Sequence, residues 1–181
     1  RGLEAVRKSR SGIRAAIIRE KGVNGDREMA YSLHLAGFDV RDVHMTDLMS
    51  GRETLDDINM LVFCGGFSNS DVLGSAKGWA GGFLWNDTAA ATLRRYYDRE
   101  DTLSLGVCNG CQLMIELNLL FGIGGERPVE MAHNRSHKFE SQFVNMTIPE
   151  NNSVMFGPLC IPQSHVGIQH SRTLFLQRLP C

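Results

Sequence analysis

The chain has 181 residues, a formal net charge of −1, 43% hydrophobic residues and 22% charged ones. That length suits about one domain with its own core. The near-neutral charge provides no bulk field toward nucleic acid or a membrane surface, and no apolar run nears the roughly 18 residues that span a bilayer. Five cysteines without regular spacing argue against a secreted disulfide framework and predict free thiols in a reducing cytoplasm.

Residues 1–12, RGLEAVRKSRSG, are basic, end in Ser-Gly and read as a linker from an upstream region. IRAAIIR (13–19) is a short β-branched run that predicts a buried strand. After the turn GVNGD, a helix is expected near 26–36, with Met29, Leu33 and Ala36 on one stripe and Gly37 closing it. FDVRDVH (38–44) alternates as a strand does, and a short helix is expected around TLDDI (54–58). NMLVFC (59–64) predicts a second buried strand, ending in the loop GGFSNSDVLGSAKG. Residues 86–98 carry a helical pattern with Asp87 as the expected cap and Ala89, Leu93 and Tyr96 or Tyr97 on one face. LSLGV (103–107) is the next strand, GCQLMIEL the next helix, and FESQFVNMTI (139–148) an alternating strand.

Strands and helices alternate along the chain with short connections. This predicts an α/β fold: a mostly parallel, flavodoxin-like sheet with helices on both faces and right-handed crossovers. Function in such sheets collects at the carboxyl ends of the strands. Two loops rich in glycine and small polar residues fall there, after Cys64 and at Cys108. Neither carries the glycine signature of a dinucleotide or nucleoside triphosphate site, and GIGGE at 122–126 reads as a plain loop.

The segment Gly106-Val107-Cys108-Asn109-Gly110 joins a strand to a helix in the pattern of a nucleophile elbow, with Cys in place of Ser. The flanking glycines keep side chains out of a turn too tight to hold them. At a helix N-terminus, unpaired N–H groups and the helix dipole favour a thiolate. The Asn109 amide and the glycine loop Gly65-Gly66-Phe67 are positioned to supply oxyanion donors. Three other readings of Cys108 and Cys111 stand beside this one. A redox pair does not require glycines on both sides of the first cysteine. A zinc site with His133 and His137 has a gap of 21 residues between its halves, longer than the roughly 12–15 of a finger. Two buried structural cysteines at a strand–helix junction are the third. We take Cys108 as a nucleophile and expect no metal.

At GVCNGCQ the sequence resembles the class I, triad-type glutamine amidotransferases. More narrowly, it resembles the glutaminase domain of the large single-chain phosphoribosylformylglycinamidine synthases. REKGVNGDREMAYSLHLAGFDVRDVHMTDL, CGGFSNSDVLGSAKGWA, LGVCNGCQLM and HNRSHKFESQF occur in that family's order, between about residues 13 and 157. The resemblance implies that Cys108 attacks the side-chain amide of glutamine and forms a thioester. It implies that Gly65, Gly66, Phe67 and Asn109 hold the oxyanion, that Gln112 faces the glutamine, and that Asn134, Ser136 and Phe139, with Glu140, line the pocket. It further implies that the ammonia serves a synthetase domain of the same enzyme, upstream. ATP and magnesium are expected in that synthetase domain and no cofactor in this one. No nucleic-acid or membrane partner is expected.

The family's triad is completed near its C-terminus by a Pro-His-Pro-Glu-type segment. Here His165 and His170 are followed two residues later by Gly167 and Arg172, and no Asp or Glu occurs after Glu150. The domain is therefore expected to be truncated, with residues 158–181 a divergent tail from a frameshifted, truncated or partial gene product. Its glutamine turnover is expected to be impaired. A docking module without catalysis is one alternative. Another is a DJ-1/PfpI-type protein, disfavoured because Asn109, not His, follows the cysteine.

Overall fold

A computed structural model describes residues 9–74, 76–123, 125–126, 128–138, 140, 143–146, 154 and 166–169. Its element order is β1 (Arg14–Arg19), α1 (Asp26–Leu35), β2 (Asp39–His44), α2 (Met45–Ser50), β3 (Met60–Phe63), α3 (Lys77–Leu84), α4 (Asp87–Asp98), β4 (Leu103–Gly106), α5 (Asn109–Glu116), β5 (Phe143–Met146) and β6 (Val166–Gln169). The first four strands form one sheet in the order β2-β1-β3-β4. All three pairings in it are parallel.

The apolar runs that predicted strands bury both faces, as parallel strands covered on two sides must. Ala16, Ile18, Leu61 and Phe63 join α2 to α5 in one core. The alternate residues Ala15, Ile17, Met60 and Val62 meet Leu33 of α1, with Met29 and Ala30 packed beside them, in a second core on the opposite face. Phe63 is the hub of the larger core. Its ring stands edge-on to Trp79 at 5.9 Å and to Phe83 at 6.3 Å between centroids, arrangements that add roughly 0.5–1.5 kcal/mol each beyond area burial.

Several expectations need correction. No helix forms at 54–58. Leu55 and Ile58 insert into the core, while Asp57 is drawn into ion pairs with Arg14 and Arg41, and the short helix instead occupies Met45–Ser50. Asn86, not Asp87, caps α4, its Oδ1 accepting the Ala89 N–H at 2.9 Å. Ala36 is exposed and falls at the C-cap of α1, where Gly37 takes φ 99°. α3 begins at the last two residues of the expected loop and runs through a stretch for which no element was expected, its three glycines in KGWAGGFL each lowering helix propensity by about 1 kcal/mol. Burial of Trp79, Ala80 and Phe83 overrides that. β5 does not extend the parallel sheet. It pairs antiparallel with Val166–Gln169.

Candidate active site

β4 ends at Gly106, and the chain turns through Val107 and Cys108 into α5. Cys108 has φ 52° and ψ −109°, a conformation that holds a non-glycine residue on the order of 1–3 kcal/mol above its relaxed backbone. Hydrogen bonds fasten the turn on both sides. The Val107 N–H donates to the Phe63 carbonyl at 3.0 Å, Gly110 N–H to Val107 at 2.8 Å, and Gln112 N–H to Cys108 at 3.1 Å. The elbow glycines are sterically required. A β-carbon at Gly106 would lie 2.6 Å from Met114 Sδ and 2.8 Å from the Gly110 carbonyl oxygen, and one at Gly110 would lie 2.0 Å from the Phe63 carbonyl oxygen.

Cys108 is half-buried, and no disulfide joins it to the buried Cys64 or Cys111. Burial, reinforced by the carboxylates of Asp26, Asp42 and Glu28, pushes the Cys64 thiol up to about 12. Among the described residues no three His, Cys, Asp or Glu side chains gather as a metal site would need, so Cys108, Cys111, His133 and His137 do not converge.

The loop after β3 comes alongside the cysteine. A β-carbon at Gly65 would lie 3.2 Å from Cys108 Cβ and 4.0 Å from its Sγ. The Gly65 carbonyl accepts the Asn24 N–H at 3.0 Å. The peptide bonds of the described residues are trans, so the Gly66 N–H, on the same peptide as that carbonyl, points the opposite way, away from the strap at 22–24. The Phe67 N–H, in contrast, donates to the Gly22 carbonyl at 2.9 Å, and the Phe67 side chain is 68% exposed. This corrects the expectation that Phe67 supplies an oxyanion donor, because its amide already holds the loop to the strap.

Asn109 is 1% exposed and acts as a brace. Its Oδ1 accepts the Ser68 N–H at 3.2 Å and its Nδ2 donates to Gln112 Oε1 at 3.0 Å. Two loop-to-elbow links, one steric and one hydrogen-bonded, therefore converge on Cys108. Gln112 is buried against this brace rather than solvated.

Among the described residues the side-chain hydrogen bonds of Asn134 and Ser136 stay within their own turn: Asn134 Nδ2 donates to the Lys138 carbonyl, and Ser136 Oγ to Glu140 Oε1. These bonds build the turn. Phe139, His165 and His170 lie outside the described residues. Sequence reading missed Ser68 and the strap at 22–24. Their positions after β3 and β1, at the carboxyl ends of strands, were the signal available.

A parallel sheet delivering a cysteine on a strained strand–helix turn, beside a glycine loop from the neighbouring strand, defines the elbow-nucleophile class of α/β proteins. Within that class the chain belongs to the CobB/CobQ-like glutamine amidotransferase domain family, whose model matches residues 12–178, beyond the residue at which the sequence resemblance was expected to stop. Over 147 residues the chain is 45% identical to a protein of Arabidopsis thaliana named as a probable phosphoribosylformylglycinamidine synthase, chloroplastic/mitochondrial, covering 78% of this chain and 10% of that protein. Over 155 residues it is 46% identical to the human phosphoribosylformylglycinamidine synthase, covering 78% of this chain and 12% of that one. The chain thus spans about a tenth of the length of these curated relatives. It also resembles a solved structure of PurLQS from Thermotoga maritima, with a TM-score of 0.62 and 26% identity over 91% of this chain and 70% of that one.

Proposed function

We propose that this chain is the glutaminase part of a phosphoribosylformylglycinamidine synthase. In that enzyme it would supply ammonia for the ATP-dependent amidation of formylglycinamide ribonucleotide in purine biosynthesis. The observation that carries the reading is the strained Cys108 at the start of α5 with the Gly65-Gly66 backbone against it. The Cys108 sulfur attacks the δ-carbon of glutamine and the amide oxygen becomes an oxyanion. The backbone N–H groups of Gly66 and Asn109 hold it, and Gly65 provides the close approach rather than a donor. Collapse of the oxyanion breaks the carbon–nitrogen bond, the nitrogen leaves as ammonia after taking a proton, and a glutamyl thioester remains. Water hydrolyses the thioester to glutamate and returns the thiol. Gln112, held by Asn109, contacts the glutamine from the first turn of α5.

ATP and magnesium belong to the synthetase domain, the expected partner, upstream in the same enzyme. That no disulfide joins Cys64, Cys108 or Cys111 suits the cytoplasmic, reducing setting we propose.

No histidine in these 181 residues is followed two positions later by Glu. We infer that the chain as it stands holds the nucleophile without its family's proton-transfer pair, and that it turns over glutamine slowly. Loss of the base from such a pair removes several powers of ten in rate. The test is ammonia release from glutamine by the purified 181-residue chain, beside its Cys108→Ala variant and a complete relative. Release at least about a hundredfold below the relative, and abolished by the substitution, supports the reading. Release equal to the relative's refutes the impairment, and release that survives the substitution refutes the assignment of Cys108.

A further inference from the structure

The sequence holds two Asn-Gly pairs, Asn24-Gly25 and Asn109-Gly110. In such a pair the glycine nitrogen can attack the side-chain amide carbon of the asparagine, because no β-carbon shields it. The fold treats the two pairs oppositely. Asn109 is 1% exposed, and its amide is bonded at both ends, to the Ser68 N–H and to Gln112 Oε1. The Gly110 N–H donates to the Val107 carbonyl at 2.8 Å, and the Gly110 backbone is pressed against the Phe63 carbonyl. Neither the amide nor the nitrogen moves without undoing the elbow. Asn24 and Gly25, in contrast, are both exposed. A β-carbon at Gly25 would meet nothing within 4 Å, so a ring has space to close there. Gly25 is the N-cap of α1, and its N–H has no partner within that helix.

Asn24 also ends the strap that holds the β3 loop. Its N–H donates to the Gly65 carbonyl at 3.0 Å, Val23 bridges Gly66, and the Gly22 carbonyl accepts the Phe67 N–H at 2.9 Å. The two segments interlock without slack. A β-carbon at Gly22 would lie 2.2 Å from the Phe67 carbonyl oxygen, and one at Gly66 would lie 2.8 Å from the Asn24 nitrogen. Gly65 in turn abuts Cys108, with 3.2 Å between its would-be β-carbon and Cys108 Cβ. On the other side, Gly25 alone separates the strap from α1, which Leu33 anchors in the core.

We propose that Asn24 is a site of spontaneous deamidation, and that the isoaspartate it yields slackens the strap and withdraws the β3 loop from Cys108. The Gly25 nitrogen bonds to Asn24 Cγ and gives up its proton. The Cγ–Nδ2 bond breaks, and ammonia leaves with that proton. The product is a five-membered cyclic imide. Water opens it at the main-chain carbonyl carbon, breaking the original peptide bond, so that the chain passes through the former side chain and gains one backbone atom. Opening at Cγ gives aspartate instead, with the chain length unchanged. The extra atom of isoaspartate falls between a strap that fits without slack and a helix fixed by its core contacts. The strap therefore shifts against Gly66, and the change accumulates with the age of the chain.

In the first arm of the test the purified 181-residue chain is aged in mildly alkaline buffer, native and in urea. The peptides carrying the two pairs are followed by mass. Isoaspartate is read by methyl transfer from S-adenosylmethionine with an isoaspartyl methyltransferase. In the native chain we expect the Asn24 peptide to convert at least about tenfold faster than the Asn109 peptide, which must wait for local opening. In urea, where the fold no longer protects either pair, the two should convert within about twofold of each other.

In the second arm the aged chain is compared with aged Asn24→Gln, whose longer side chain closes a ring far more slowly, and with fresh Asn24→Asp, which adds the charge without the extra atom. Hydrogen exchange at the Phe67 amide reads the strap. It should quicken at least about tenfold in the isoaspartyl chain and stay within about twofold of fresh wild type in both variants. Labelling of Cys108 by 6-diazo-5-oxonorleucine, a diazo-ketone that carries an amino-acid head, should fall in proportion to isoaspartate, while iodoacetamide labelling persists. The diazo-ketone readout rests on the glutaminase reading above. A fresh chain that resists the reagent sinks that reading and leaves the strap to be judged by exchange. Conversion at Asn24 no faster than at Asn109 overturns the proposal, and so does isoaspartate that leaves Phe67 exchange, or the labelling of a chain that takes the diazo-ketone, unchanged.

Discussion

The backbone of Gly110 lies directly over the Phe63 carbonyl, 2.0 Å from where a β-carbon would stand. That carbonyl also accepts the Val107 N–H. The last residue of β3 therefore fixes the floor of the turn that presents Cys108. Gly110→Ala puts a methyl group into backbone, which no rotamer change relieves. We expect a loss of about 3 kcal/mol or more, at the upper end of overpacking effects, read by urea unfolding, and loss of Cys108 labelling by the diazo-ketone.

The two neighbouring residues of the β3 loop should respond oppositely. Phe67 is exposed and its amide is occupied by Gly22, so Phe67→Ala should change stability by no more than about 0.5 kcal/mol and leave labelling of Cys108 within about twofold. Gly66 has φ 114°, and a β-carbon there would meet the Gly22 carbonyl oxygen at 2.5 Å. Gly66→Ala should break the strap and abolish labelling.

Asn109→Ala leaves the Ser68 N–H and Gln112 Oε1 without partners in a closed environment. Two unsatisfied buried groups predict a loss of about 2–4 kcal/mol, measured by urea unfolding. Gln112→Ala, which removes one of those links and leaves the Asn109–Ser68 bond, should lose less.

The three described thiols separate by environment. Burial pushes Cys64 up to about 12, and it is 2% exposed, as is Cys111. At pH 8, brief iodoacetamide treatment of the native chain should modify Cys108 ahead of both, as peptide mapping would show. All three should react after denaturation.

Asp57 ties the starts of β1 and β2 together through Arg14 and Arg41. Burial alone would raise its carboxyl, but the hydrogen bonds and charges of Arg41 and Arg14 outweigh that and hold it below the ordinary carboxylate range. A depressed carboxylate contributes stability above its unfolded value of about 3.9, and that stability is lost as pH falls through the folded value. Its side chain is 38% exposed, so screening keeps the effect to about 1 kcal/mol or less. Asp57→Asn should lower the melting temperature at pH 7, and the difference from wild type should shrink as pH falls below the unfolded value and vanish once it has passed through the lower folded one.

The parts legible in sequence were those with one dominant cause. Unbroken apolar runs marked β1 and β3, and glycines on both sides of Cys108 marked a turn with no room for side chains, which Gly106 and Gly110 show. Where two causes compete, the sequence misleads. The glycines of α3 argue for loop until Trp79 and Phe83 bury them in helix. The acidic TLDDI suits a helix start until Asp57 finds arginines from two strands. The Asn109 brace and the Gly22 strap depend on which loops meet in space, and no local pattern encodes that.

The central claim is that Cys108 is presented to the side chain of an amino-acid amide. Treating the native chain with 6-diazo-5-oxonorleucine and mapping the adduct tests it most directly. One adduct per chain, on Cys108 and suppressed by excess glutamine, is the predicted result. An adduct on another cysteine, or none while iodoacetamide still reaches Cys108, would contradict the account.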